Sequence, residues 1–375
     1  MVKYLIKEIA DGVKILRVDD DRTRYFEAAW HIPEGVTYNS YLIDAPEGEI
    51  LVDTWKGQYS ELFIRAIKEA TDPNKIKYII INHAEPDHTG SLPAVLKEAK
   101  DAKLVVNVAG VKVLKAKYEI PNEIISVEGT KNLNLLGEEL TFIHVPWVHW
   151  PETMFMYQKS TEILYTCDVF GSFSIPAKHT ADATDAFYLR SAEKYLITVM
   201  GYYRKYVLNA IEKVRSMHLK ISKIAPSHGG IWEGNIEEPL GLFEKWAKAE
   251  PEKKKVAIAY VSMYGSVEEA VSKIYNQLSS KGLKVKTFAI TDSEFPDLEE
   301  FLVEANSSSA VVLATPTYDT DVHPRMKILL ELIKDKFKGT EKPFGVVVSY
   351  GWGSNAVRHM EAMLKEAGLK ILFTE

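Results

Sequence analysis

The stretch Asn82–His88, "NHAEPDH", sets His83, Glu85, Asp87 and His88 within six positions, directly after the apolar run "YIII". Four nitrogen and oxygen donors this close together at the end of a strand point to metal chemistry. His83 and Glu85 are two apart, so on extended backbone they face the same way. Asp87 and His88 follow Pro86, where the backbone turns, and can address a second point. Three further donors stand at loop-like strand ends: His149 in "VPWVHWPET", Asp168 in "LYTCDVFGS" and His228 in "IAPSHGGIW". Seven donors from four loops suffice for two ions. The assignment puts His83, Glu85 and His149 on one ion, Asp87, His88 and His228 on the other, and Asp168 between them. For His149, Asp168 and His228 an ordinary strand-end role is the competing reading; for His88 it is replacement by a water. Asp53, ending "EILVD", is a candidate acceptor that orients the ligand loop. Cys167 precedes Asp168 on its strand and reads as packing. His144, His179, His218, His323 and His359 stand alone and are assigned no role.

A second group of loops suits an organic cofactor. "AYVSMYGSVEEA" sets Ser262, Met263, Tyr264, Gly265 and Ser266 between a strand and a helix. Hydroxyls, a glycine and a helix N-terminus together make an anion site. No Lys follows the glycine, so this is not the loop that grips nucleoside triphosphates. Downstream lie "ATPTYDTDVHP", with Thr315, Pro316, Thr317, Tyr318 and Asp319, and "SYGWGSN", with Ser349, Tyr350, Gly351, Trp352 and Gly353. Tyr318 and Trp352 can flank a flat ring system, and Thr315 and Thr317 can bond to its edge.

The elements that must carry these loops follow two rhythms. Up to about residue 250, short strands alternate with helices; "YNSYLID" and "EILVDTW", separated by "APEGE", form a hairpin. The charged stretch "KWAKAEPEKKK" interrupts the pattern, which divides the chain into domains 1–250 and 251–375. Beyond it, strands at Val256–Tyr260, Val285–Ile290, Ala310–Thr315, Phe344–Ser349 and near Leu369–Phe373 alternate with helical patterns. One such helix has Val267, Ala270, Val271 and Ile274 on one face. Five strands with helical crossovers imply a doubly wound parallel sheet, whose ligands sit at the carboxyl edge of the strands. The sequence stops at Glu375, so this sheet is expected to lack its last helix.

Bulk composition narrows the function classes. At 375 residues with a net charge of -6, the chain lacks the basic surplus of a nucleic-acid binder. No apolar run approaches the length of a membrane span, and the start, "MVKYLIKEIADGVK", lacks the features of a signal peptide. The single cysteine precludes an intrachain disulfide and suits a reducing cytoplasm.

"NHAEPDH" is the H-x-H-x-D-H string of the metallo-β-lactamase fold with Glu85 in place of the second histidine. With "HWP", "CD" and "SHG" following at these spacings, and with the loop at Ser262–Ser266, the chain resembles the flavodiiron proteins (A-type flavoproteins) over essentially its whole length. The resemblance implies an α/β protein: an N-terminal metallo-β-lactamase-like αββα sandwich and a C-terminal flavodoxin-like sheet. It implies two non-haem iron ions on the seven donors, and FMN in the loops of the second half. A carboxylate replacing an imidazole adds negative charge and a hard oxygen, which favours iron, and ferric iron in particular, over zinc. The implied activity is reduction of O2 to water, of NO to N2O, or both. Electrons would come from a separate donor such as rubredoxin, since no CxxC pair is present. His31, in "HIPEGVTYNSYL", corresponds to a segment near the diiron pocket and is a candidate lining residue. The family association is a head-to-tail homodimer, or a dimer of such dimers, bringing the FMN of one subunit to the diiron site of the other. The competing readings are a metallo-β-lactamase-fold hydrolase, an electron carrier using the flavodoxin half alone, and an O2 or redox sensor with the same cofactors.

Overall fold

The computed structural model describes residues 2–375, which form two compact units. One unit reaches to Tyr195 and includes Lys205–Phe243. It contains two large β-sheets and a two-stranded ribbon. The seven-stranded sheet runs in the order Lys3–Ala10, Val13–Asp20, Val36–Ala45, Gly48–Val52, Ile76–Ile81, Lys103–Asn107, Ile124–Val127. The six-stranded sheet runs Thr130–Leu135, Glu138–His144, Met154–Gln158, Ile163–Cys167, Lys223–Pro226, Trp232–Glu233. Alternate residues of both sheets meet in one core: Ile15, Tyr41, Val52 and Ile80 from the first, Leu140, Phe142, Met156 and Tyr165 from the second. This is the period-2 consequence of β geometry. The expected hairpin forms, with Tyr41 opposite Val52 and Ala45 opposite Gly48. Helices cover the sheets through one face each; Ser60–Ala70 buries Phe63, Ala66 and Ile67, a helical spacing. Phe63 lies against Trp55 at 4.6 Å, and the Trp55 indole donates to the carbonyl of Leu16. The result is the αββα sandwich.

The other unit comprises Leu196–Arg204 and Glu244–Glu375. Its five parallel strands run in the spatial order Lys284–Ile290, Lys255–Val261, Ala310–Tyr318, Pro343–Ser349, Lys370–Thr374. That order, 2-1-3-4-5 by position in the chain, is the flavodoxin arrangement. Val267 and Val271 of the helix Ser266–Ser280 are buried against Ile258, Val312 and Ala314, with Ile274 packed on the cluster. Buried cations fasten the segments before Pro251 to this unit. The Arg204 guanidinium donates to the carbonyls of Lys336 and Trp246, and Lys342 Nζ donates to those of Ala249, Asn306 and Ser308. Among the described residues no helix is long and apolar enough to cross a membrane.

Candidate functional site

Each of the seven candidate donors stands just past the end of a strand. His83 follows Ile76–Ile81, His149 follows Glu138–His144, Asp168 follows Ile163–Cys167, and His228 follows Lys223–Pro226. After Glu85 the chain makes a single helical turn, Pro86–Thr89, with Glu85 at its N-cap and Pro86 in the first position. Proline is pre-set for that position, and the turn swings Asp87 and His88 away from Glu85. The turn packs closely. A Cβ on Gly90 would lie 2.3 Å from the backbone nitrogen of Gly57, so only glycine fits there. Asp53, Trp147, Cys167 and Phe170 have φ of +53°, +65°, +45° and +70°. Left-handed backbone at such residues costs of order 1–3 kcal/mol each, and these four lie in or beside the segments that carry or support the donors.

The donors converge in two sets. His83, Glu85, His149 and Asp168 form one, and Asp87, His88 and His228 the other. In the first set, Oε2 of Glu85 lies 3.1 Å from Nε2 of His83 and 2.9 Å from Nε2 of His149. Oδ2 of Asp168 is 3.3 Å from His83 and 3.4 Å from His149. Its other oxygen, Oδ1, is 3.1 Å from Nε2 of His88 and 3.2 Å from Nε2 of His228. Asp87 completes the second set at 3.4 Å from His88 and 3.5 Å from His228. Asp168 thus turns one oxygen to each set.

These spacings suit metal ligands. Two donors about 2.1 Å from one ion, at octahedral or tetrahedral angles, lie about 3.0–3.4 Å apart. Nε2 of His88 and His228, Oδ2 of Asp168 and Oδ1 of Asp87 are buried and make no hydrogen bond. Buried polar atoms without partners are costly, and here they all point into the same two spaces. The residues therefore fit a pair of metal ions.

A further layer of side chains holds the donors in place. Nδ1 of His83 faces Oε1 of Glu152 at 2.9 Å, and the same oxygen accepts the N–H of Ala84. Nδ1 of His228 donates to the carbonyl of Thr37 at 2.7 Å, which leaves its Nε2 lone pair for the centre. Tyr195 donates its hydroxyl to Oδ1 of Asp168 at 2.8 Å. Asp53 accepts the N–H of Asn82 at 2.8 Å and so orients the start of the ligand loop. Glu152, Tyr195 and Thr37 carry no sequence signal as strong as the donors. Glu152 lies three residues past His149, the one hint available; Tyr195 lies on a helix far from any motif.

Burial disfavours charged histidines, yet the carboxylates reverse the balance. His83 is raised to about 9 by Asp168, Glu152 and Glu85, and His88 to about 10 by Asp87, Asp168 and Asp53. His149 is raised too, by Asp168 and Glu85 against its burial. Burial pushes Asp53 up to about 6, against the pull of His88 and the Asn82 N–H. In the metal-free protein, protons on the histidines therefore compensate the buried carboxylates. Their stabilisation is full below the ordinary histidine value of about 6.5 and is lost as pH rises through about 9 to 10. The melting temperature of metal-free protein is expected to fall across that window by calorimetry. Metal addition near neutral pH should release up to one proton from each of these three rings, measurable as a buffer-dependent heat of binding.

His31 belongs to neither donor set. It lies in a two-stranded ribbon, Tyr25–Phe26 with Trp30–His31, where its ring rests 5.4 Å from Tyr25. The same ribbon lays Phe26 against His228, at 6.0 Å between ring centres. Tyr38 and Tyr195 each lie 5.5 Å from His228, and Phe173 lies 4.9 Å from Tyr195. The His228 side of the centre is thus walled by aromatic rings. Cys167 is buried, and burial raises its thiol well above the usual range, in keeping with a packing role.

In the second unit the three candidate stretches all lie at the carboxyl ends of parallel strands. The third strand runs on to Tyr318, past the expected end at Thr315, because Thr317 and Tyr318 pair with Val322 and Asp321. Gly265, with φ of +89°, caps the helix Ser266–Ser280 and donates its N–H to Oγ of Ser262. Oγ of Ser266 and Oγ of Ser349 lie 3.4 Å apart, which brings the first and last loops together. Met263 lies between Ser262 and Ser266 in the first loop. The turn at Asp319 and Thr320 has positive φ at both residues, with Tyr318 paired to Asp321, the favoured geometry for a two-residue hairpin. The hydroxyl of Thr315 is buried on the carbonyl of Pro316 and that of Thr317 donates to Ser354, so both are used within the protein. Asp321 also pairs with His359 at 2.5 Å and with Lys327 at 2.7 Å, giving His359 a loop-fastening place that its isolation in the sequence conceals. Tyr318 is 44% exposed, and Tyr350, beside Gly351, is 63% exposed. Tyr264 is 93% exposed and Trp352, between Gly351 and Gly353, is 86% exposed. So much aromatic surface around one phosphate-type loop fits a flavin mononucleotide. Trp352→Ala is expected to weaken FMN binding roughly tenfold, the equivalent of about 1.4 kcal/mol of lost stacking. Fluorescence titration checks this, and the melting temperature of flavin-free protein should not change.

Comparison with known proteins agrees with this geometry. The family model described as ODP family beta lactamase matches residues 36–229, and the flavodoxin model matches 258–375. A nitric oxide reductase of Moorella thermoacetica is 30% identical over 367 residues, covering 97% of this chain and 90% of that one. A type A flavoprotein of Rhodobacter capsulatus is 28% identical over 377 residues, covering 98% and 84%. Among solved structures, a flavo di-iron protein of Thermotoga maritima superposes with a TM-score of 0.94 at 38% identity, covering 100% of this chain and 94% of that one. The rubredoxin oxygen:oxidoreductase of Desulfovibrio gigas, at 24% identity, shares the fold with a TM-score of 0.91, covering 99% and 93%. With donors, flavin loops and both domain types in place, this chain belongs to the flavodiiron proteins.

Proposed function

We propose that the chain is an oxygen reductase, a nitric oxide reductase, or both, working at two non-haem irons with electrons delivered through FMN. The observation that carries this reading is the division of Asp168 between two donor sets, one of which contains Glu85. His83, Glu85 and His149 would hold one iron, Asp87, His88 and His228 the other, and Asp168 both. When bound, the iron pair supplies redox chemistry for a small gas and the flavin relays electron pairs to it. O2, four electrons and four protons give two waters; two NO, two electrons and two protons give N2O and one water. Ser262–Ser266, Thr315–Asp319 and Ser349–Gly353 would hold the FMN.

The chain's own residues prepare the site for this work. Three carboxylates among the seven donors favour iron over zinc. Side chains of His83 and His228 are inaccessible, whereas Glu85 and Asp87 keep 20% and 12% of their surface, so a gas reaches the centre on their side. Phe26, Tyr38 and Phe173 keep the far side apolar. Tyr195 holds its proton toward Asp168. Electrons would come from a donor such as rubredoxin, since the buried Cys167 cannot by itself build an iron–thiolate centre. A reducing cytoplasm and a head-to-tail homodimer complete the reading. The name of the Moorella relative supports the NO arm of it.

The test is sustained gas consumption by protein of known iron and FMN content, with reduced rubredoxin as donor, at an oxygen electrode and at an NO electrode. Many turnovers of at least one gas, scaling with iron content, are expected. A protein that stops after one turnover is a sensor, and one that consumes neither gas refutes the reading.

A further inference from the structure

The two halves of the metal centre are unequally charged, and the difference lies outside the seven donors. Behind His83 stands the carboxylate of Glu152, with Oε1 at 2.9 Å from Nδ1 and also accepting the Ala84 N–H. Glu152 is 1% exposed, and its Oε2 is buried without a hydrogen-bond partner, so its charge is not dissipated into solvent. Behind His228 stands only a neutral carbonyl, that of Thr37. The shared carboxylate is skewed in the same sense. Tyr195 donates to Oδ1 of Asp168, the oxygen that faces His88 and His228. Oδ2, which faces His83 and His149, has no hydrogen-bond donor. Asp53, a further buried carboxylate, bears more on His88 than on His83, but it accepts the backbone N–H of Asn82 and does not back a ring nitrogen as Glu152 does.

A carboxylate on the far nitrogen of a metal-bound imidazole makes that ring a stronger donor, and such partners are worth 10–100-fold in metal affinity. A donor that places more negative charge on one ion also favours its higher oxidation state. We propose that Glu152 makes the His83–Glu85–His149 subsite the tighter and more electron-rich of the two, so that it takes the first iron and retains ferric iron in preference to its neighbour. Glu152 touches neither ion; it is a positioning and charge-tuning residue. The inference rests on the paired-iron reading above.

The test is an anaerobic titration of iron-depleted, FMN-loaded full-length protein with Fe(II), in competition with a chromophoric chelator that resolves the two binding steps. Glu152→Gln keeps the side-chain shape and removes the charge. It is expected to weaken the first step by about 10–100-fold and leave the second unchanged. The reduction potential of the one-iron form should rise, by about 59 mV for each tenfold by which ferric binding weakens more than ferrous. Asp87→Asn, on the other subsite, should weaken only the second step, and it provides an independent arm should Glu152→Gln not fold. Wild-type protein that binds no iron would sink the metal-centre reading and this inference together. Two irons bound, with Glu152→Gln affecting only the second step or neither, or with Asp87→Asn affecting the first, overturns the inference alone.

Discussion

Asp168→Ala is expected to cost the protein both irons and to lower gas consumption by roughly two orders of magnitude or more, beyond the 10–100-fold typical of losing a mere supporting partner. The size of the effect follows from position. Asp168 is the only donor within 3.4 Å of histidines from both sets, and its two oxygens are divided between them. Removing it would take a charged donor from both sets at once. The metal-free protein also suffers. Asp168 is a principal cause of the raised values of His83, His88 and His149, so its loss leaves buried rings that hold their protons less firmly. Iron per chain, turnover and the melting temperature of metal-free protein at neutral pH should all fall. A variant that keeps two irons and normal turnover would show that Asp168 is a structural residue beside the centre.

Glu85→His has the second largest expected effect, of a different kind. The site should still bind metal, since an imidazole at this position can approach the same ion, but the set then has one carboxylate fewer. Zinc should compete with iron far better than in the parent, and the potential of the remaining iron should rise. Gas consumption is expected to drop by about 10–100-fold even in samples fully loaded with iron, because His83 and His149 lose the oxygen that now lies 3.1 and 2.9 Å from them. Metal analysis after growth in equal iron and zinc gives the selectivity, and electrode assays of the iron-loaded variant give the rate. Unchanged metal selectivity would mean that Glu85 is not what separates this site from a hydrolytic zinc pair.

Much of this was legible in the residues, and the reasons are local. The strand Ile76–Ile81 closes on three consecutive isoleucines, so its end and the donors beyond it stand out. Pro86 marks the turn that divides Glu85 from Asp87. The second unit shows five regular strands, and each cofactor stretch lies at a strand's carboxyl end, although Thr315–Tyr318 still belongs to the strand Ala310–Tyr318 rather than to the loop after it. What escaped depends on distant strand ends meeting. Glu152 reaches His83 across 69 residues of sequence, and Thr37 reaches His228 across 191. The attachment of residues 196–204 and 244–250 to the flavodoxin-like unit relies on Arg204 and Lys342 donating to backbone carbonyls, which leaves no periodic trace in sequence. The ribbon that carries His31 also lays Phe26 against His228, a contact that its two short strands leave unmarked in sequence.

The central claim is that FMN and the seven-donor centre act together on a gas. Anaerobic stopped-flow tests it most directly: protein with two irons and one FMN per chain, fully reduced, is mixed with O2 and separately with NO. The account predicts that flavin and iron both reoxidise at a catalytically competent rate with at least one gas, that O2 yields water or NO yields N2O, and that Asp168→Ala abolishes the fast phase while retaining its flavin. Reoxidation that is equally fast in Asp168→Ala, or a reduced protein inert to both gases, would contradict it.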